Sequence, residues 1–150
     1  MKKIKTLKMK LLTLKIVLAG FLLVIISKSN GQTNVRNEIK ALYESQGYTL
    51  SDDDFFTISE VNNNLYKYRN FYSGTEYIIV VYPEESGIND LDLYLYDSDG
   101  SLLSKDSDSQ PVAIVEYEPY TSRQMKVVVK LYDAYSSTYN YDVRLLIFYR

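Results

Sequence analysis

"NDLDLYLYDSDGSLLS", residues 89–104, decides the fold. Leu91, Leu93 and Leu95 alternate with Asp92, Tyr94 and Tyr96. A period of two puts the leucines on one face of a β-strand and the polar and aromatic residues on the other. Asp97-Ser98-Asp99-Gly100 follows with turn chemistry. The aspartates accept local hydrogen bonds, and Gly100 tolerates positive φ. Leu102 and Leu103 then resume the apolar run, so the unit reads as a β-hairpin. The turn accounts for Asp97 and Asp99. Asp90 and Asp92 sit where aspartate is disfavoured, within a strand. They either face solvent at the strand end or help to hold a cation.

The rest of the chain carries the same punctuation. Strands are expected at residues 55–59, 65–72, 76–82, 112–118, 124–132 and 139–149, with residues 83–89 as a loop. "QMKVVVKLY", residues 124–132, alternates Met125, Val127, Val129 and Leu131 against Lys126, Val128 and Lys130. The fold class is therefore all-β: an antiparallel sandwich of seven or eight short strands. One short helix precedes them over residues 34–46, where Val35, Ile39, Leu42 and Tyr43 recur at helical spacing before Gly47. The acidic "SDDDFF" at residues 51–56 reads as a solvated turn. The expected core is the alternate set Leu91, Leu93 and Leu95 with Val127, Val129 and Leu131, joined by Val143, Leu145 and Ile147.

The first 31 residues read as a signal peptide. Six lysines and no acid occupy residues 1–15, eleven apolar residues follow at 16–26, and Ser29-Asn30-Gly31 provides a small-x-small cleavage site. Eleven residues are too few to span a bilayer, which takes about 20. Extending the run back through Leu11 and Leu12 takes in Lys15 and gives the layout of a retained anchor. Cleavage leaves a helical segment at 32–47 and a sandwich at 48–150, with no stable membrane span. The expected location is secreted, periplasmic or cell-envelope.

Residues 32–150 keep ten of the 17 basic residues and all 19 acids, a net charge of −9. That balance argues against a nucleic-acid partner, which needs clustered Lys and Arg. With no cysteine, stability rests on the core rather than on disulfides. With no histidine, Ser-His-Asp and Cys-His catalysis and His-ligated zinc are excluded. Paired carboxylates are the catalytic chemistry that composition leaves open, and a sandwich this small seldom shapes the cleft they need. A non-enzymatic protein with no required cofactor is expected.

Residues 90–103, "DLDLYLYDSDGSLL", resemble the hairpin of the bacterial pre-peptidase C-terminal (PPC) domain, an Asp-x-Asp-Leu-x-Leu-x-Asp-x-x-Gly pattern. Asp90, Asp92, Leu93, Leu95, Asp97 and Gly100 match it. Gly74-Thr75-Glu76-Tyr77 is similar to the family's Gly-Thr-x-Tyr turn. The family's second Gly-x-Tyr turn has no counterpart before "QMKVVV". The resemblance implies a jelly-roll-like β-sandwich in an exported protein, here standing without a peptidase before it. Some relatives associated with collagenases bind calcium and collagen.

Two kinds of residue are candidates for function. Asp90 and Asp92 are the candidate calcium ligands, with Asn89 or the Glu84-Glu85 loop completing the site. Calcium takes about six to eight oxygen ligands. Asp97 and Asp99 lie at the other end of the strand, about five or six residues away at roughly 3.3 Å each, too far to share the ion. Tyrosine is the other candidate: all 16 lie beyond residue 31, with no tryptophan. Tyr94 and Tyr96 share a face, as do Tyr66, Tyr68 and Tyr72, and Tyr139 and Tyr141. Tyrosine either covers a sheet with its hydroxyl wet or forms a binding surface. Tyr94 and Tyr96 are the candidate ligand-binding residues, for an extracellular or envelope protein or a polysaccharide. The alternative is a structural or accessory envelope protein that docks through its N-terminal helix or a sheet edge.

Overall fold

The computed structural model describes residues 32–150, and the expected signal peptide lies outside them. The chain divides into two units at Ile39/Lys40. Of the first, the described part is the beginning of helix α1 (Gln32–Glu44), where Val35 and Ile39 are buried. The second holds the end of α1 and eight strands: β1 (Thr49–Ile58), β2 (Asn64–Phe71), β3 (Tyr77–Pro83), β4 (Ile88–Tyr96), β5 (Leu102–Asp106), β6 (Ala113–Tyr117), β7 (Arg123–Ala134) and β8 (Tyr141–Tyr149). None of the described helices is long and apolar enough to cross a membrane.

The strands form two antiparallel four-stranded sheets, ordered β1-β8-β3-β6 and β2-β7-β4-β5. β1 pairs with β8, β2 with β7, β3 with β6 and β4 with β5. This is one long hairpin, with its turn between β4 and β5, rolled so that successive pairs alternate between sheets. Pairing of β3 with β8 and of β4 with β7 then closes each sheet. The result is a jelly-roll sandwich. The residue 89–104 hairpin is the tip of that roll.

The alternate leucines of β4 face the alternate aliphatics of β7, β3 and β8. Leu91, Leu93, Leu95, Val127, Val129, Leu131, Val143, Leu145 and Ile147 all lie in one buried cluster, as their periodicity predicts. β3 and β8 differ from the other strands. Ile78, Val80 and Tyr82 on β3, and Leu146 and Phe148 on β8, are buried on the opposite face as well. Strands buried on both sides read as continuous apolar runs, and "YIIVVY" and "LLIFY" are such runs. Tyr43 packs on Phe148 with ring centroids 4.8 Å apart.

Helix α1 ends as Gly47 suggests. Gly47 takes φ +87°, Tyr48 N–H donates to Tyr43 O at 3.1 Å, and Gly47 N–H donates to Glu44 O at 3.0 Å. This is a Schellman cap, and its apolar contact is the edge-to-face pair Tyr43–Tyr48, 6.0 Å between centroids.

"SDDDFF" is not a turn. It is the middle of β1, with Asp52, Asp53 and Asp54 in register with Ile147, Leu146 and Leu145. Asp52 and Asp54 lie on the less exposed side of β1 and pair with Arg69 and Lys67 of β2. Asp53 pairs with Arg144 of β8 at 2.7 Å. β1 and β2 are edge strands of the two sheets, so this mouth of the sandwich is closed by ion pairs rather than by apolar side chains. Inward charge on an edge also discourages pairing with another chain.

Two tyrosine corners brace the strand entries. Tyr77, opening β3, accepts the Tyr72 N–H at 3.0 Å. Tyr141, opening β8, accepts the Ser136 N–H at 2.9 Å and donates to Ser136 O at 3.3 Å. Each hydroxyl reaches five residues back along the chain. Tyr141 is therefore a buried brace, and the exposed Tyr139 ring meets it edge to face at 4.9 Å.

Candidate functional site

The outer face of the sheet β2-β7-β4-β5 carries five tyrosines, Tyr66, Tyr68, Tyr94, Tyr96 and Tyr132. Alternation along β4 turns Asp92, Tyr94 and Tyr96 away from the core, because Leu91, Leu93 and Leu95 fill it. On β7 the same rule turns out Lys126, Val128, Lys130 and Tyr132, and on β2 it turns out Tyr66 and Tyr68.

The register brings these into rows. Tyr94 pairs with Val128, and Val128 with Tyr66. Tyr96 pairs with Lys126, and Lys126 with Tyr68. Two tyrosine pairs therefore flank β7, one on each neighbouring strand. Tyr94 and Tyr96 stack with centroids 6.1 Å apart and planes 24° from parallel. Tyr66 and Tyr68 meet edge to face at 5.9 Å. Tyr66 is 64% exposed, Tyr68 52% and Tyr132 67%, whereas Tyr94 and Tyr96 are half-buried. Lys126 Nζ lies 4.8 Å from the centre of the Tyr66 ring, and Lys130 Nζ 5.4 Å from that of Tyr132.

Tyr94 is held in place by Asp92. Its hydroxyl donates to Asp92 Oδ2 at 2.6 Å, and this bond to a carboxylate, with burial, pushes the phenol up to about 12. The donor that justifies a carboxylate at Asp92 is thus a tyrosine two residues on.

Beyond Asp92 the face becomes acidic. Asp90 sits at an irregularity in the β4–β7 register opposite Asp133, and its Oδ1 is buried without a hydrogen-bond partner. Burial, with the nearby charges of Asp92 and Asp133, raises its carboxyl above the ordinary range. Asn89 Nδ2 donates to Asp133 Oδ2 at 2.9 Å. The Glu84-Glu85 loop turns instead to β8: Glu84 pairs with Arg144, and Glu85 accepts the Asp142 N–H at 3.3 Å. Among the described residues no group of three or more acids is arranged to hold a metal ion.

Asp97 and Asp99 stay at the opposite end of β4, in the turn. Asp99 Oδ1 accepts the Ser101 N–H at 2.9 Å and the Ser101 hydroxyl at 2.6 Å, and these bonds hold its carboxyl below the ordinary range. Asp97 accepts the Ser98 N–H at 2.6 Å and pairs with Arg123. Sequence reading placed Tyr94 and Tyr96 on a common face. It did not join them to Tyr66, Tyr68 and Lys126, because the signal for that is strand register, which alternation alone does not carry. No family model matches the chain, and no curated protein matches it.

Proposed function

We propose that this protein is an exported, non-enzymatic β-sandwich that binds an extended partner on its outer tyrosine face. The observation that carries the reading is the pair of tyrosine pairs, Tyr66–Tyr68 and Tyr94–Tyr96, facing outward on either side of β7. Tyrosine contributes rigid amphipathic area with little entropy to lose, so exposed tyrosines in rows suit recognition. Export is supported by the lysine-rich start, the short apolar run and Ser29-x-Gly31. Kinship with the PPC family is supported by the Asp90–Gly100 motif and by the jelly-roll-like sandwich that the resemblance implies. The ion-paired edges of β1 and β2 weigh against docking through those sheet edges.

The test is capture. The full chain, expressed with its own N-terminus and purified after export, is immobilised and exposed to the exported and envelope fractions of its own cells, with and without EDTA. Tyr66→Ala/Tyr68→Ala, which alters solvent-facing rings only, should abolish retention while leaving the melting temperature within a few degrees. Retention that survives this variant but fails on disruption of α1 supports the accessory, helix-docking role instead.

A further inference from the structure

We infer that the partner is an anionic polysaccharide, lying along β7 between the two tyrosine pairs. This rests on the binding face proposed above and assigns its ligand class. The first argument is shape. β2 and β4 flank β7, so the tyrosine pairs stand about two strand spacings apart, roughly 10 Å at ~4.8 Å each. Between them runs a track whose floor is Lys126, Val128 and Lys130. Sugar rings present C–H faces that stack on aromatic rings, and an extended glycan can pass tyrosines on both sides at once.

The second argument is charge. Residues 32–150 carry ten cations against 19 acids. Six of the ten are engaged with carboxylates: Lys40, Lys67, Arg69, Arg123, Arg144 and Arg150. Among the described residues Lys105, Lys126 and Lys130 make no ion pair, and all three belong to this one sheet. Lys126 and Lys130 form the floor of the track, about 14 Å apart at ~3.4 Å per residue. Lys105 stands beside Tyr94 on β5. A chain this acidic spends most of its cations on internal pairs and leaves three on its aromatic face. That arrangement complements carboxylates or sulfates spaced along a polymer. Asp92 stands opposite Lys130, and Asp90 and Asp133 lie beyond it, so the acids set a direction, with ligand charge favoured toward Lys126.

The test is affinity electrophoresis of the exported full chain through gels containing sodium alginate or polygalacturonate, and through gels containing neutral dextran or hydroxyethylcellulose. Wild type should be retarded by the polyanions despite its own net negative charge, and the retardation should fade as salt screens the lysines. Lys126→Gln/Lys130→Gln should raise the apparent Kd about tenfold or more, as expected for losing two charge-assisted contacts. Tyr66→Ala/Tyr68→Ala should weaken binding too. Both are solvent-face changes, and thermal melts confirm that each variant is folded. Equal retardation by neutral gels, insensitive to the lysine variant, overturns the anionic assignment while the tyrosine face stands. Capture of a protein through the tyrosines with no retardation by any polysaccharide likewise overturns the assignment. Retardation by polyanions that survives both variants overturns the assignment and the binding face together.

Discussion

Asp92 and Asp99 belong to the same hairpin yet answer to different physics. Asp92 is 5% exposed and accepts the Tyr94 hydroxyl, whereas Asp99 lies in an exposed turn with Ser101. Asp92→Ala leaves a half-buried hydroxyl without its charged acceptor and is expected to lower stability by about 1–3 kcal/mol in urea unfolding. Asp99→Asn keeps a turn-forming side chain and should stay within about 0.5 kcal/mol. Asp90 has the opposite sign. Its carboxyl is raised in the folded state, so the fold binds its proton more tightly than the unfolded chain does. Its stabilising contribution is full below the unfolded pKa near 3.9 and is lost as pH rises through the higher folded value. At pH 7 the ionised Asp90 opposes folding, and Asp90→Asn should raise the melting temperature there and have little effect near pH 3. A calcium ion at this end would reverse the result: added Ca²⁺ would raise the wild-type melting temperature, and Asp90→Asn would remove the rise. Alternation was enough to put Asp90, Asp92 and Tyr94 on one face. The irregular register that sets Asp90 opposite Asp133 leaves no trace in local sequence.

Between elements, what was legible followed from period and what was missed followed from pairing. The leucines of β4 and the valines of β7 announce their face because a strand buried on one side must alternate. β1 does not, because three consecutive aspartates have poor strand propensity and turn-like composition. Their cations, Lys67, Arg69 and Arg144, come from β2 and β8 and are near only once the roll has formed. Removing one partner strands the other. Arg69→Met should destabilise by about 1–3 kcal/mol by leaving Asp52 with only the more distant Lys67, 4.0 Å away, and the Ser51 hydroxyl, and Asp52→Leu/Arg69→Met should restore much of the loss, because matched apolar residues relieve both charges. A double-mutant cycle by chemical denaturation reads this directly. The corner at Tyr141 adds a second inter-element constraint. A Cβ on Gly87 would stand 2.8 Å from Tyr141 Cε1, at a φ of +119° that side chains avoid. Gly87→Ala should therefore cost more than Tyr141→Phe, which gives up only the hydroxyl's bonds to Ser136, about 0.5–1.5 kcal/mol.

At the scale of the whole molecule, the rolled hairpin makes the last strand the keystone. β8 lies between β1 and β3, and Thr49 pairs with Tyr149, so the first strand pairs with the eighth. Val143, Leu145 and Ile147 enter the main core from β8, while Leu146 and Phe148 fill its other face. Neither β1 nor the end of α1 has its partner until β8 is in place, since Tyr43 rests on Phe148. Contacts this distant in sequence carry a loop-closure cost before they return any stability, so folding belongs to the slow, all-β range of milliseconds to seconds. Removal of residues 141–150 should then abolish the cooperative unfolding transition and the dispersed amide spectrum, rather than yield a weakened sandwich. Leu93→Ala provides the graded comparison: it deletes a fully buried side chain from the centre of β4, should cost about 2–5 kcal/mol, and should leave the transition two-state. If the chain lacking β8 still melts cooperatively with native strand content, the roll does not depend on its last strand, and the folding order argued from the pairing is wrong.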